Sequence, residues 1–235
     1  MRGKRAGLLG TGVAGIAAIL TLVVLGAAVP VASAADAGDA QGIVDSARVT
    51  LGHFLRDKNY EWLNNNLKNA KGVLIYPQVL KAGFFLGGSG GTGVLLARDS
   101  KTAEWSQPAF YTLGSVSFGL QFGGEASETV VLAMSQKAVD SLLTSSFKLG
   151  ADATVAVGPV GAGAKGNVTA DFISFSMSKG LFAGVSLEGA VVSVRDSLNE
   201  AYYGKKVSPA DIIVKESVTN KGSAPLREEL RKGAK

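Results

Sequence analysis

The amino-acid sequence predicts an α+β fold in which helices pack on a strongly bent, mainly antiparallel sheet. Between residues 40 and 70, apolar side chains recur at helical spacing. After Lys71 the apolar period falls to two, glycine becomes frequent, and few long helical segments separate the strand-like runs. Because glycine within strands often marks bends and bulges, we expect either a curved sandwich or a partial barrel.

The first 34 residues have the composition of a secretory signal sequence. Arg2, Lys4 and Arg5 form a basic start, and residues 8–31 are apolar or small and carry no charge. Ala32-Ser33-Ala34 then supplies a small-residue cleavage pattern. The alternative is an uncleaved membrane anchor, since about 20 apolar residues suffice to cross a bilayer. We favour cleavage near Ala34, and both interpretations predict export to the periplasm, the cell envelope or the medium.

The pattern of residues 40–70 predicts a pair of helices that pack on the larger remainder of the domain. The first has an apolar face made of Ile43, Val44, Ala47, Leu51, Phe54 and Leu55. Asn59 is the expected N-cap of the second helix, which carries Tyr60, Trp62, Leu63 and Leu67.

The clearest strand pattern runs from residue 110 to residue 122. Phe110, Val116 and Phe118 share the side that we expect to be buried, whereas Tyr111 and Ser115 share the other side. Further strands are predicted at Gly72–Tyr76, Val94–Arg98, Thr129–Met134, Ala153–Val157, Phe172–Met177 and Leu181–Val194.

Short helices complete the predicted domain, which we place at residues 35–217. One covers residues 135–145 with Ser135 as its cap, and two more cover residues 197–203 and 209–214. Residues 218–235 are polar and basic, and we expect them to form a loose tail.

Charge and composition exclude several classes of function. The whole chain carries +5, but without Arg2, Lys4 and Arg5 it holds 21 basic against 19 acidic residues, or +2. That charge is too small for strong, field-driven binding of nucleic acid. The chain has no cysteine, which excludes disulfides, thiolate metal sites and thiol nucleophiles.

Two glycine-rich stretches, 88–93 and 161–166, match the dinucleotide pattern GxGxxG. That pattern binds a pyrophosphate only where a strand precedes it and a helix follows. Strand-like sequence follows the first stretch and surrounds the second, so we interpret both as glycine-rich hairpins or bulges.

The sequence gives no positive sign of catalysis, a metal or a cofactor. His53 is the one histidine, it falls opposite the apolar helix face where we expect solvent, and no GxSxG motif is present. Asp171 and Glu188 remain a weak candidate pair, for general acid–base chemistry or for a cation held with backbone oxygens. The favoured interpretation is that both are structural carboxylates, which leaves a hydrolase as the most distant alternative.

Several blocks of the chain together resemble a known family. Their order and spacing, from about Ala40 to Val214, are similar to those of the SYLF family of lipid-binding domains. The blocks are Ala70–Pro77, Lys81–Val94, Trp105–Phe110, Gly119–Gly123, Ser178–Gly189 and Asn199–Gly204.

The resemblance implies a non-catalytic module that binds membrane lipid. Eukaryotic relatives sit beside Src-homology or FYVE modules, bind phosphoinositides and, in fungi, bundle actin, whereas bacterial relatives are typically exported single domains. Met177 stands where relatives often carry an arginine, which removes one phosphate contact. The resemblance therefore implies an exported protein that contacts anionic phospholipid at an envelope membrane. The alternative is a structural or protein-interaction module that binds a protein of the cell envelope.

Basic residues near the predicted strand ends are the candidate headgroup ligands. We assign this role to Lys71, Lys81, Arg98, Lys101 and Lys179, since each charge near an anionic membrane contributes about 1 kcal/mol. Phe84 and Phe85 could enter the interface, although burial in the core is the favoured interpretation.

Overall fold

The computed structural model describes residues 36–83, 86–118, 123–178 and 187–235, all within the compact unit Ala34–Lys235. The predicted signal sequence lies outside these ranges, as do Phe84, Phe85, Lys179 and residues 181–186 of the last predicted strand. Within the described ranges, no helix is long and apolar enough to cross a membrane.

Helices precede, interrupt and follow a series of strands. The described α-helices are α1 (Ala37–Arg56), α2 (Glu61–Asn66), α3 (Gln136–Leu142), α4 (Asp196–Tyr203), α5 (Pro209–Ile213) and α6 (Ala224–Gly233). The described strands are β1 (Gly72–Gly83), β2 (Leu86–Ala97), β3 (Ala109–Phe118), β4 (Gly123–Ala133), β5 (Ser146–Lys148), β6 (Val155–Val157), β7 (Phe172–Ser178) and β8 (Val191–Val194). Short 3₁₀-helices occur at Lys58–Tyr60, Leu67–Asn69 and Lys221–Ser223.

The strands form one curled sheet in the order β5-β8-β3-β2-β1-β4-β7-β6. All neighbouring strands are antiparallel except β6 and β7. The curl brings β5, at one edge, close to β7 near the other edge, where Phe147 and Phe172 stack with ring centroids 5.5 Å apart. The α+β prediction is confirmed, and a partial barrel forms rather than a sandwich.

The four central strands β4, β1, β2 and β3 define two ends of the sheet. At what we call the base end, Gly72 of β1 pairs with Ala97 of β2 and Ala133 of β4. At the tip end, Gly83 pairs with Gly87 and Gly123. Ten residues of extended chain separate Lys71, at the base end, from Lys81 near the tip, or about 33 Å.

The base halves of these strands are buried on both faces. On the outer face Val73 and Ile75 lie under α1, α2, α4 and α6, and on the inner face Leu74 packs with α3 and α5. Phe110 and Tyr111 are consequently 0% and 1% exposed, whereas Val116 is 74% exposed. The prediction of one buried face along residues 110–122 is therefore wrong, because burial changes along these strands as well as across them.

The first helix and the helix after β4 are confirmed, with one correction to the caps. Val44, Ala47, Leu51 and Phe54 form the buried face of α1, and Ser135 caps α3 by accepting from the N–H of Ala138 at 3.0 Å. Asp57 rather than Asn59 caps the helical segment after α1, since its carboxylate accepts from the N–H of Asn59 at 2.9 Å.

The expectation of a loose C-terminal tail is wrong. Residues 224–233 form α6, which packs along α1, and Leu226 and Leu230 are fully buried. These two leucines stand four residues apart and so share one helix face. The three charged residues between them, Arg227, Glu228 and Glu229, obscured that pattern in the sequence.

A β-bulge at Pro77 distorts the middle of β1. Tyr76 and Pro77 together lie opposite Gly93 of β2, and Pro77 and Gln78 together lie opposite Glu128 of β4. Proline has no N–H to donate, so a bulge is one of the few places where a central strand tolerates it. The glycine-rich stretch 88–93, which we predicted to be a hairpin or bulge, is continuous strand within β2.

Candidate functional site

The predicted headgroup residues do not converge on one place. Lys71, Arg98 and Lys101 lie together at the base end, where the carbonyl of Lys71 accepts from the N–H of Arg98 at 2.8 Å. Lys81 lies near the tip end, opposite Glu125 of β4. Lys179 is outside the described residues.

Arg98 is a structural clamp at the base end. Its Nε donates to the carbonyl of Ala103 at 3.2 Å, and Nη1 donates to the carbonyl of Lys68. The turn between Arg98 and Ala103 is also fixed by Asp99, which accepts hydrogen bonds from the backbone N–H groups of Thr102 and Lys101. These hydrogen bonds hold the pKa of Asp99 below its usual value. The Arg98 guanidinium therefore joins the β2–β3 turn to the end of the helical pair.

Exposed lysines surround this clamp. We call Lys68, Lys71 and Lys101 the base rim; all are exposed, and none forms an ion pair with another residue that the structure describes. Sequence reasoning missed Lys68, because only the bond from Arg98 to its carbonyl shows that it belongs to this end of the sheet.

Asp171 acts as a structural link in this geometry. Its carboxylate accepts from Ser135 Oγ at 2.6 Å and from Thr154 Oγ1 at 2.9 Å, with Lys137 Nζ at 3.6 Å. The bond from Ser135 is the largest of several influences that lower the pKa of Asp171 to about 2. These contacts join the start of β7 to α3 and to the segment before β6.

Glu188 lies in the exposed turn before β8, beside Gly150. Its role in a carboxylate pair or cation site stays a prediction. Among the described residues, no group of three or more His, Cys, Asp or Glu is arranged to hold a metal ion.

A cleft of about 590 Å³ opens between the C-terminal turn of α1 and the bulge of β1, and we call it the α1 cleft. Its charged lining consists of His53, Arg56, Asp57 and Glu128, and its apolar lining includes Pro77, Ala126 and Met177. The volume lies within the usual range for small-molecule sites, about 300–1,000 Å³.

A hydrogen bond between a histidine and a carboxylate crosses the α1 cleft. Nδ1 of His53 lies 2.9 Å and 3.1 Å from the two carboxylate oxygens of Glu128, and the His53 side chain is 42% exposed. The expectation of a solvent-facing His53 is thus correct for part of the ring only. Sequence reasoning missed the pair because 75 residues separate its members, and the β1 bulge places Glu128 beneath α1.

Beside the cleft, no described helix covers the outer face of the tip half. Leu80 is 54% exposed and Val116 is 74% exposed, and the backbone register joins them through glycines of β2 and β3. We call this surface the tip platform; it consists of Leu80, Ala82, Gly88, Gly90, Gly114 and Val116. It carries no charged or polar side chain, and Leu80 pairs with Ala126 of the α1 cleft.

Several proteins of animals and fungi are similar to this chain. "SH3 domain-containing YSC84-like protein 1" of Bos taurus is 35% identical over 152 residues, which cover 63% of this chain and 44% of the relative. "Protein YSC84" of Saccharomyces cerevisiae is 39% identical over 146 residues, covering 59% of this chain and 31% of the relative. The chain thus spans less than half the length of these relatives. No solved structure matches it.

A family model gives the assignment. The model described as "Ysc84: Las17-binding protein actin regulator" matches residues 114–233, from β3 to the end of α6. Domains of this family are non-catalytic binding modules, in agreement with the absence of catalytic motifs from the sequence. The match covers half of the chain, so the protein belongs to the Ysc84 family, whose domain is also called SYLF.

Proposed function

We propose that this protein is an exported, non-catalytic module that binds anionic phospholipid headgroups at an envelope membrane. The observation that carries the proposal is the base rim, because Lys68, Lys71 and Lys101 are exposed around the Arg98 clamp and form no ion pair with a described residue. Each such charge near an anionic surface contributes about 1 kcal/mol, so the contact is weak and reversible.

The remaining parts of the proposal come from the sequence. Residues 1–34 support export, Lys81 would form a second basic contact near the tip end, and Lys179 stays a candidate headgroup ligand on the sequence alone. Arg98 supports headgroup binding indirectly, by holding the base rim in place, since its guanidinium is already bonded to two carbonyls.

A protein-interaction role is the second candidate. The description of the matched family names binding to Las17 and regulation of actin. For an exported chain the corresponding partner would be a protein of the cell envelope. Salt separates the two candidates, because screening weakens contacts between exposed charges far more than an apolar interface.

The test is co-sedimentation with vesicles of phosphatidylcholine alone and of phosphatidylcholine with phosphatidylglycerol, at low and high salt. Both the full chain and the unit Ala34–Lys235 are measured, because the apolar N-terminal sequence could bind vesicles by itself. We expect binding to the anionic vesicles only, lost at high salt and lost in a variant with Lys68→Ala, Lys71→Ala and Lys101→Ala.

The matched control removes the same charge elsewhere, with Lys148→Ala, Lys205→Ala and Lys206→Ala, all at exposed positions. Equal loss of binding in both triple variants would mean that the base rim contributes only to the net charge of the protein and is not a specific site. Binding of neutral and anionic vesicles alike, insensitive to salt, would contradict the headgroup proposal. A separate Lys81→Ala variant tests the tip contact.

A further inference from the structure

The α1 cleft is the second surface on which a lipid contact can be argued, and its charges differ from those of the base rim. Its lining holds two basic side chains, His53 and Arg56, and two acidic ones, Asp57 and Glu128. A simple anion would meet the two carboxylates, and a simple cation would meet Arg56. The charge pattern is complementary to a ligand that carries one charge of each sign.

Arg56 is the member of this set that is free to bind an anion. The Glu128 carboxylate accepts from His53 and Asp57 uses one oxygen to cap the next helical segment, so both carboxylates keep further acceptor sites that suit an ammonium group. Arg56 is exposed and forms no ion pair with any residue that the structure describes. A guanidinium in this state suits a phosphate, which it binds through two parallel hydrogen bonds.

Gly52 provides the space in which the Arg56 guanidinium lies. A Cβ atom built on Gly52 would come within 2.9 Å of Nη1 and 3.2 Å of Nη2 of Arg56. The absence of a side chain at residue 52 therefore lets the guanidinium lie back over the preceding turn of the helix, beside His53 and the mouth of the cleft. Any side chain at residue 52 would displace it.

The tip platform supplies an aliphatic surface that continues from the cleft. A Cβ on Gly114 would meet nothing within 4 Å, and one on Gly90 would have its nearest contact at 3.6 Å, so neither glycine is required by packing. Glycine in a strand then leaves the backbone open to close approach by another molecule. The platform spans three strands and two side-chain rows, about 200 Å² at ordinary strand spacing. A stable protein interface needs about 800 Å² per partner, so the platform is suited to an acyl chain.

We infer that the α1 cleft binds a zwitterionic phosphoethanolamine headgroup, with its phosphate on Arg56 and its ammonium group toward Asp57 and Glu128. One acyl chain of the same lipid lies on the tip platform. This inference rests on the proposed lipid-binding function and adds a second site that selects a lipid class different from the one at the base rim.

The test is calorimetric titration of the full chain with three soluble probes. These are 1-palmitoyl-lysophosphatidylethanolamine and 1-palmitoyl-lysophosphatidylglycerol, both below their micelle concentrations, and glycerophosphoethanolamine, which has no acyl chain. We expect the ethanolamine lysolipid to bind at least tenfold more tightly than either other probe. Equal binding of the two lysolipids would overturn the headgroup assignment, and equal binding of glycerophosphoethanolamine would overturn the lipid assignment.

Variants locate the headgroup. Arg56→Gln and Glu128→Gln should each weaken binding of the ethanolamine lysolipid at least tenfold, whereas Arg48→Gln, at an exposed position two turns earlier on α1, should leave it unchanged. Gly52→Ala should also weaken binding, although it replaces a helical glycine with a better helix former. Unchanged affinity in Arg56→Gln and Gly52→Ala would overturn the site.

Variants on the platform locate the acyl chain. Val116→Ser should weaken binding of the lysolipid and not of glycerophosphoethanolamine, whereas Val157→Ser, at a valine 48% exposed on β6, should change neither. Equal effects of the two substitutions would overturn the placement of the chain. The triple base-rim variant should bind the ethanolamine lysolipid as the wild type does. Failure at the α1 cleft is thus distinguishable from failure of the anionic-vesicle assay.

Discussion

The base and tip halves of the four central strands differ in how deeply their outer-face side chains are buried. In the base half Val73, Ile75 and Phe110 are fully buried, and the neighbouring side chains on the opposite face are buried as well. In the tip half Leu80 and Val116 are more than half exposed. A strand buried on both faces contributes to stability, whereas a strand that extends beyond the helices presents a surface.

A glycine beside the bulge and a glycine on the tip platform also differ in how much space surrounds them. A Cβ on Gly93, beside the bulge, would lie 2.3 Å from the carbonyl oxygen of Ile75 and 2.6 Å from Cδ1 of Tyr76. A Cβ on Gly114 would meet nothing within 4 Å. Packing therefore requires glycine at residue 93, beside the bulge, whereas residue 114 on the tip platform has space for a side chain within the described fold.

The largest expected effect comes from removing a core ring. Phe110→Ala should lower the free energy of unfolding by about 3–5 kcal/mol, because the substitution leaves a cavity that the two-sided packing cannot close. Val116→Ala, six residues further along the same strand, should change it by no more than about 0.5 kcal/mol. Urea denaturation monitored by circular dichroism measures both. Similar losses in the two variants would contradict the distinction between base and tip halves.

A glycine pair tests the same distinction with a smaller change. Gly93→Ala should cost about 1–3 kcal/mol, because the added methyl group meets backbone that cannot move aside cheaply. Gly114→Ala should leave the stability unchanged or raise it by about 0.5–1 kcal/mol, since alanine loses less conformational entropy than glycine on folding. The same urea titrations provide the comparison, and a loss of stability in Gly114→Ala would show that the tip platform is packed against something.

Local patterns in the sequence were enough to predict most of the helices and strands. The helical period of Val44, Leu51 and Phe54 predicted α1, and the alternation around Phe110 predicted β3. Which faces are buried depends on how far the helices extend over the sheet, and an alternating pattern does not contain that information. The α6 helix was missed because Leu226 and Leu230 stand in a short polar segment whose partner, α1, is far away in sequence.

The candidate sites were less accessible to sequence reasoning. The base rim could be predicted in part, because Lys71, Arg98 and Lys101 flank strand ends that an antiparallel pairing brings together. The α1 cleft could not, since the approach of His53 to Glu128 requires both the crossing of α1 over the sheet and the bulge at Pro77. A proline inside a strand-like run was the one available signal for that bulge.

The smallest expected effect concerns one carboxylate from each half of the sheet. Asp171, at the base end, has a pKa lowered to about 2, chiefly by the hydrogen bond from Ser135. Asp171→Asn should therefore cost about 1–2 kcal/mol at neutral pH. Glu125, near the tip end, has one buried carboxylate oxygen that accepts no hydrogen bond from a described residue. Glu125→Gln should be neutral or slightly stabilising, because it removes negative charge from that oxygen without breaking a hydrogen bond.

The pH dependence of the Asp171 effect has a definite sign. A carboxyl group whose pKa is lower in the folded than in the unfolded protein stabilises the fold above its unfolded pKa, 3.8 for aspartate, and that contribution is lost as the pH falls toward 2. The difference in unfolding free energy between wild type and Asp171→Asn should therefore be full at pH 7 and shrink between about pH 4 and pH 2. Taking this difference removes the contributions of the other carboxylates. A difference that stays constant across that window would mean that Asp171 stabilises the base end through its shape and not through its charge.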